Sequence, residues 1–186
     1  HLRNRRQRQM CIRDSSMAVL PIVLLPDPIL RKRAEPVERV DDTIRQLMDD
    51  MLETMYDAPG IGLAAPQIGI SKRIIVMDCS DDEVEAEPIG MINPEILTSG
   101  DDTCTIEEGC LSIPGHRGDV TRPASIEVRY LDRDGAVQER AFDSLLAICI
   151  QHEIDHLNGG LFIDDLSRLK SDMITRKMTK EFRMAR

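Results

Sequence analysis

One turn of helix sets the tightest constraint on this chain. Between Ser144 and Leu157, the residues Leu145, Ile148, Cys149, His152 and His156 recur at helical spacing. The run His152-Glu153-Ile154-Asp155-His156 lies inside that pattern, and Gly159-Gly160 closes it. Positions i and i+4 share a helix face, so both imidazoles can reach one metal ion, with Glu153 beside a bound water as a base. The same H-E-x-x-H pattern also arises in charged helices as a solvated surface turn, so the rest of the chain has to decide between the two.

The chain has 186 residues, 41% of them hydrophobic and 31% charged, which suits one soluble domain with a real core. No apolar run approaches the roughly 20 residues that cross a bilayer, so no membrane association is expected. A formal net charge of −9 argues against nonspecific nucleic-acid binding by the whole surface. The five cysteines form no C-x-x-C pair and are odd in number, which fits a reducing cytoplasm better than a disulfide framework.

Residues 1–16 carry five arginines against Asp14 and show no periodicity, whereas Met17 opens the first apolar stretch. Met17 is therefore read as the functional start, residues 1–16 as a non-native or disordered leader, and residues 17–186 as one domain. The leader is not read as a signal peptide, because Pro21 and Pro26 interrupt the apolar run that follows it.

Ile44, Leu47, Met48, Met51, Leu52 and Met55 predict an amphipathic helix over residues 42–55, capped by Asp41 or Asp42 and ended by Pro59-Gly60. Strands are predicted at residues 73–79, 91–93, 104–106 and 125–131. The last of these is joined through Asp134-Gly135 to residues 137–142 as a hairpin. Acidic residues from Asp81 to Glu87 mark an exposed loop. A third helix is predicted over residues 166–182, with Leu166, Leu169, Met173, Ile174 and Met178 as its apolar stripe. The expected fold is a single α+β domain, with antiparallel or mixed strands packed around the central H-E-x-x-H helix and helices near both ends.

A catalytic metal site needs a third protein ligand and one open position. The zinc-peptidase pattern would continue H-x-x-G-x-x-H. Gly159 fits it, but the third-ligand position holds Phe162, and a downstream glutamate could only be Glu181. Cys110, in Glu108-Gly109-Cys110-Leu111-Ser112, is the better candidate, because Gly109 permits an unusual backbone or a close approach. Cys79, Cys104 and Cys149 are read as small buried hydrophobes. The segment Gly60-Ile61-Gly62-Leu63-Ala64-Ala65-Pro66-Gln67 lets backbone pass close to a bound molecule and offers the Gln67 amide. Taken alone, it reads equally as a glycine-rich turn into the 68–75 region.

Together these segments resemble the peptide deformylases of bacteria, whose motifs read G-x-G-x-A-A-x-Q, E-G-C-x-S and Q-H-E-x-D-H in that order. Every motif position is matched, Gln151 and Asp155 included, and the likeness runs from about Met17 to the C-terminus. Residues 1–16 lie outside it, and the acidic loop is slightly long. The resemblance implies a cytoplasmic hydrolase that removes the formyl group from the N-terminal methionine of nascent chains. In it, Cys110, His152 and His156 would hold Fe(II), with Zn(II), Ni(II) or Co(II) able to substitute. It assigns Glu153 as general base, and the Gln67 side chain and Leu111 backbone N–H as donors to the formyl oxygen.

The resemblance also implies a methionine pocket lined by Ile61, Leu145, Ile148 and Cys149, with Gly62 and Gly109 beside the substrate. Spacing alone reads these apolar residues as ordinary core. Arg117 either binds the peptide backbone or is simply exposed. From Ser167 onward, seven lysines and arginines face two acids, a surface suited either to ribosomal RNA or to plain solvation. Deleting residues 1–16 is expected to leave the urea midpoint and formate release nearly unchanged, since nothing in that segment can pack on a core. A large loss of either would place the leader in the fold.

Overall fold

Four consecutive apolar residues, Ile74-Ile75-Val76-Met77, make a strand buried on both faces, and the layering follows from it. The computed structural model describes residues 18–80 and 86–185. Five strands, β1 (Gly62–Ala64), β2 (Ile74–Met77), β3 (Ile89–Ser99), β6 (Ser125–Leu131) and β7 (Val137–Asp143), form an antiparallel sheet in that spatial order. Strands β4 (Thr103–Cys110) and β5 (Ile113–Pro123) form a separate two-stranded ribbon. The helices are α1 (Asp42–Asp57), α2 (Ser144–Leu157) and α3 (Arg168–Met184).

Alternation along β2 divides the core. Ile74 and Val76 face α1, where they pack with Met48, Met51 and Met55, while Ile75 and Met77 face α2 and pack with Ile150, Ile154 and Leu157. Each fully buried side chain of this size contributes roughly 1.5–3 kcal/mol. The Asp41 side chain caps α1 by accepting from the Ile44 N–H at 3.0 Å. The α2 and β6 bounds coincide with those expected from periodicity.

Other expectations need correction. Strand β3 runs far beyond residues 91–93 because Asn93-Pro94 bends it without ending it. Asn93 adopts φ 52°, its amide bonds Val37 N–H and C=O at 2.8 Å each, and pairing with β6 shifts between Ile92 and Glu95. Strands β1 and β5 were not anticipated, and β4 extends from the expected 104–106 through to Cys110. Cys104 is exposed rather than buried, since the ribbon leaves this part of one face to solvent.

In α3 the five-residue stripe reduces to Ile174 and Met178. Leu169 and Met173 are 83% and 61% exposed, and Leu166 precedes the helix. Ile174 and Met178 join the cluster around Phe162 and Ile163, which takes one narrow edge of the helix and leaves Leu169 and Met173 outside. Residues 1–16 and Met17 lie outside the described residues, as does 81–85 of the acidic stretch; Glu87 is exposed.

Helix α2 ends against the N-terminal segment. The Leu157 carbonyl accepts from the Ala34 N–H at 2.8 Å, and Gly159 follows at φ +81°, where an added Cβ would lie 2.6 Å from the Arg31 carbonyl oxygen. Gly115 also has positive φ but open space around it. Gly159→Ala is therefore expected to destabilise by roughly 1–3 kcal/mol through its strained φ alone, with the backbone clash adding to that. Gly115→Ala should cost less. Urea unfolding of both variants checks the order, and equal midpoints would show that the Arg31 contact does not matter.

Candidate active site

Cys110 ends β4 where the ribbon pairing slips, between Gly109 paired with Arg117 and Cys110 paired with Ile113. That bulge turns its thiol toward α2, which presents His152, Glu153 and His156 on one face. One ligand atom from each of Cys110, His152 and His156 lies within 4.8 Å of the others, and Cys110 Sγ is 3.3 Å from His156 Nε2. A thiolate and two imidazoles suit a borderline-soft divalent ion, and three donors leave a position open.

The expected ligands are thus brought together, and a buried ion network that was not anticipated holds them. His152 Nδ1 lies 2.8 Å from Glu108 Oε2, which leaves Nε2 for the centre. Glu108 accepts in turn from Arg122 Nε at 2.6 Å and Nη2 at 3.1 Å, and Arg122 Nη1 donates to Asp155 at 2.7 Å. Burial alone would raise the pKa of Glu108, but its bonds to His152 and Arg122 outweigh this and hold it at about 2. Arg122 carried no local signal in the sequence. It is a basic residue in an unanticipated strand, and its partners stand 14 and 33 positions away.

Glu153 is buried, and burial pushes its carboxyl up to about 7. Its Oε2, together with His156 Nδ1, lacks a hydrogen-bond partner among the described residues. A buried carboxylate oxygen without a partner is costly, and a group meant to act on a bound molecule would be left this way. Burial drives the His156 pKa well below the ordinary histidine value.

Gln67 sits in the 3-10 turn that follows β1. Its Oε1 accepts the Ala64 N–H at 2.9 Å, which fixes the amide so that Nε2 points to Ser112 Oγ at 3.2 Å and Cys110 Sγ at 3.4 Å. Leu111 lies at the ribbon tip beside it, over Gly60. A cleft of about 590 Å³ opens onto this group. Ile61, Gly62, Gly109, Arg117, Leu145, Ile148 and Cys149 all line it, with Gln67, Cys110, Leu111, His152 and Glu153, while His156 lies behind the wall.

Individual positions refine the expectations. At Gly62 an added Cβ would stand 2.4 Å from Glu153 Oε1 and 2.8 Å from Cys149 Sγ, so packing against α2 demands glycine there. Gly109 differs: its φ is not positive, and a Cβ would make only ordinary contacts at 3.6 Å, so no protein group requires glycine. Arg117 is exposed at the mouth of the cleft and paired with Glu107 at 3.1 Å. Phe162, where a zinc peptidase would place its third ligand, instead stacks on His152 with centroids 6.3 Å apart. Pro59, Ile106, Pro114 and His116 also line the cleft and had not been expected there.

The polypeptide deformylase family model matches residues 19–172. The peptide deformylase of Agrobacterium fabrum is 56% identical over 167 residues, covering 90% of this chain and 98% of that protein. That of Pseudomonas aeruginosa is 54% identical, with 90% and 98% covered. Among solved structures, peptide deformylase from Ehrlichia chaffeensis superposes with a TM-score of 0.84 at 42% identity, covering 90% of this chain and 99% of that one. The Legionella pneumophila enzyme gives 0.82 at 48%, with 90% and 98% covered. Likeness of this extent, spanning the ribbon, the central helix and the cleft between them, means that the chain belongs to the polypeptide deformylase family.

Proposed function

We propose that this enzyme hydrolyses the N-formyl group from the N-terminal formyl-methionine of nascent polypeptides in the cytoplasm, releasing formate. The observation that carries the reading is the unpartnered Glu153 carboxylate oxygen, set beside the Cys110–His152–His156 group at the wall of an apolar cleft. Residues 17–186 form the catalytic domain, and residues 1–16 stand outside it.

Cys110, His152 and His156 would hold a divalent ion, natively Fe(II), with Zn(II), Ni(II) or Co(II) able to substitute. Held there, the ion supplies Lewis acidity, which makes water acidic enough to attack near neutral pH and polarises the formyl carbonyl. Glu153 accepts the proton from the attacking water and passes it to the departing amine, so one carboxyl serves as base and then as acid. Charge gathering on the formyl oxygen is met by Gln67 Nε2, already oriented by the Ala64 N–H, and by the Leu111 backbone N–H. Ile61, Leu145, Ile148 and Cys149 receive the methionine side chain, with Gly62 and Gly109 beside the substrate backbone and Arg117 at the peptide end. The exposed cations Arg176, Lys177, Lys180 and Arg183 of α3 offer a surface for ribosomal RNA.

Replacement of Glu153 tests the mechanism. Glu153→Ala is expected to keep its metal yet lose formate release by roughly 100-fold or more, whereas Cys110→Ala and His156→Ala should lose the metal itself. Elemental analysis, circular dichroism and a formate assay on all three variants separate the outcomes. A folded, metal-loaded Glu153→Ala protein with near-normal turnover would overturn the mechanism.

The Glu108 network yields a second expectation. Glu108→Gln should weaken metal affinity by about 10–100-fold, read by chelator competition. Unchanged affinity would reduce the network to packing.

A further inference from the structure

Ser112 is a fully buried polar residue that does not line the cleft, yet its hydroxyl and its carbonyl are both engaged. Its Oγ accepts from Gln67 Nε2 at 3.2 Å, and its carbonyl accepts from the Leu25 N–H at 3.0 Å. Two residues before Leu25, the Val23 N–H donates to the Gln67 carbonyl at 2.7 Å. These bonds close a ring through Val23, Leu25, Ser112 and Gln67, which ties the 3-10 turn after β1 to the tip of the ribbon. The N-terminal segment that completes the ring is itself anchored on α1. There the Ala18 N–H donates to Asp50 Oδ1 and the Leu20 N–H to the Thr54 hydroxyl, each at 2.9 Å.

We propose that Ser112, braced by Val23 and Leu25, is a positioning residue that aligns Gln67 Nε2 and the Leu111 N–H on the formyl oxygen. The Gln67 amide carries two N–H bonds. With Oε1 held by the Ala64 N–H, one of them goes to Ser112 Oγ, and the other is left on the side of Cys110 Sγ, 3.4 Å from Nε2. Sulfur is the weaker acceptor, so this second N–H is the one available to a molecule beside Cys110, His152 and His156. Ser112 thereby decides which way the amide turns. Leu111, the other donor, is its neighbour in the chain, and the Leu25 bond to the Ser112 carbonyl holds that end of the tip in place.

The two donors belong to different elements, and no local motif fixes their separation. Donors serve a developing oxyanion only within about 2.7–3.1 Å, and a misplacement of about 1 Å can slow a reaction ~100-fold. Because these bonds matter most once charge has gathered on the oxygen, loosening the ring lowers kcat and leaves KM in place. The effect on turnover rests on the roles of Gln67 and Leu111 proposed above; the bracing of Gln67 does not.

The test uses Zn(II)-loaded protein carrying Ser112→Ala, which removes the accepting hydroxyl, or Val23→Pro, which removes the donating N–H, each with and without Gln67→Ala. Both substitutions are expected to lower kcat roughly tenfold with KM for a formyl-Met peptide within about twofold, and to leave metal content unchanged. In the Gln67→Ala background they should cost almost nothing further, because the group they position is gone. Exchange of the Gln67 side-chain amide protons, followed by NMR and identified by their loss in Gln67→Ala, should quicken roughly tenfold in Ser112→Ala. Ser112→Ala deletes a single oxygen and decides alone if Val23→Pro does not fold. An unchanged kcat, a rise in KM in place of the fall in kcat, or an equal loss in the Gln67→Ala background overturns the inference. Absence of formate release from the unaltered enzyme overturns the proposed function instead, and the amide exchange then decides whether Ser112 braces Gln67.

Discussion

The buried guanidinium of Arg122 holds together the parts on which this structure depends. It bonds Glu108 on β4 and Asp155 on α2, and Glu108 reaches His152 on the same helix. A buried charge without its partner carries a penalty of several kcal/mol, so the group persists only as a complete set. Its members come from three elements. The ribbon carrying Cys110 is thereby locked in position against the helix carrying both histidines.

Helix α2 accordingly serves two ends. Ile150, Ile154 and Leu157 pack on the sheet, while His152, Glu153 and His156 turn toward the ribbon and the cleft. The sheet supports this through β2, whose alternate residues anchor α1 on one face and α2 on the other. A rigid, doubly covered strand behind the helix keeps the site geometry from drifting.

What could be read in the sequence was what is local. The bounds of α2 and β6 follow from periods of 3.6 and 2, and Gln67, Cys110, His152, Glu153 and His156 stand in short motifs. Strand β5 was hidden by Pro114, Gly115, Gly118 and Pro123, which read as turn residues although the ribbon tolerates them. The apolar spacing of α3 promised a broad buried face, but burial needs a partner surface, and Leu169 and Met173 have none among the described residues. Arg122 pairs across the fold with Glu108 and Asp155, which no window of neighbouring residues contains.

The sheet order has a bearing on the birth of the molecule itself. Ile75, Met77, Met91, Val128 and Phe142 all lie before residue 144, yet the helix that covers them is α2. During synthesis, a chain extended only to β7 has its sheet laid down with one apolar face bare. The covering helix and both of its histidines leave the ribosome together, after every strand of that sheet. Burial of that face and assembly of the Cys110–His152–His156 group are thus one event, and a product truncated before α2 is left with an exposed, sticky sheet and no site. An enzyme proposed to work on emerging chains becomes active only once its own central helix has followed the sheet out.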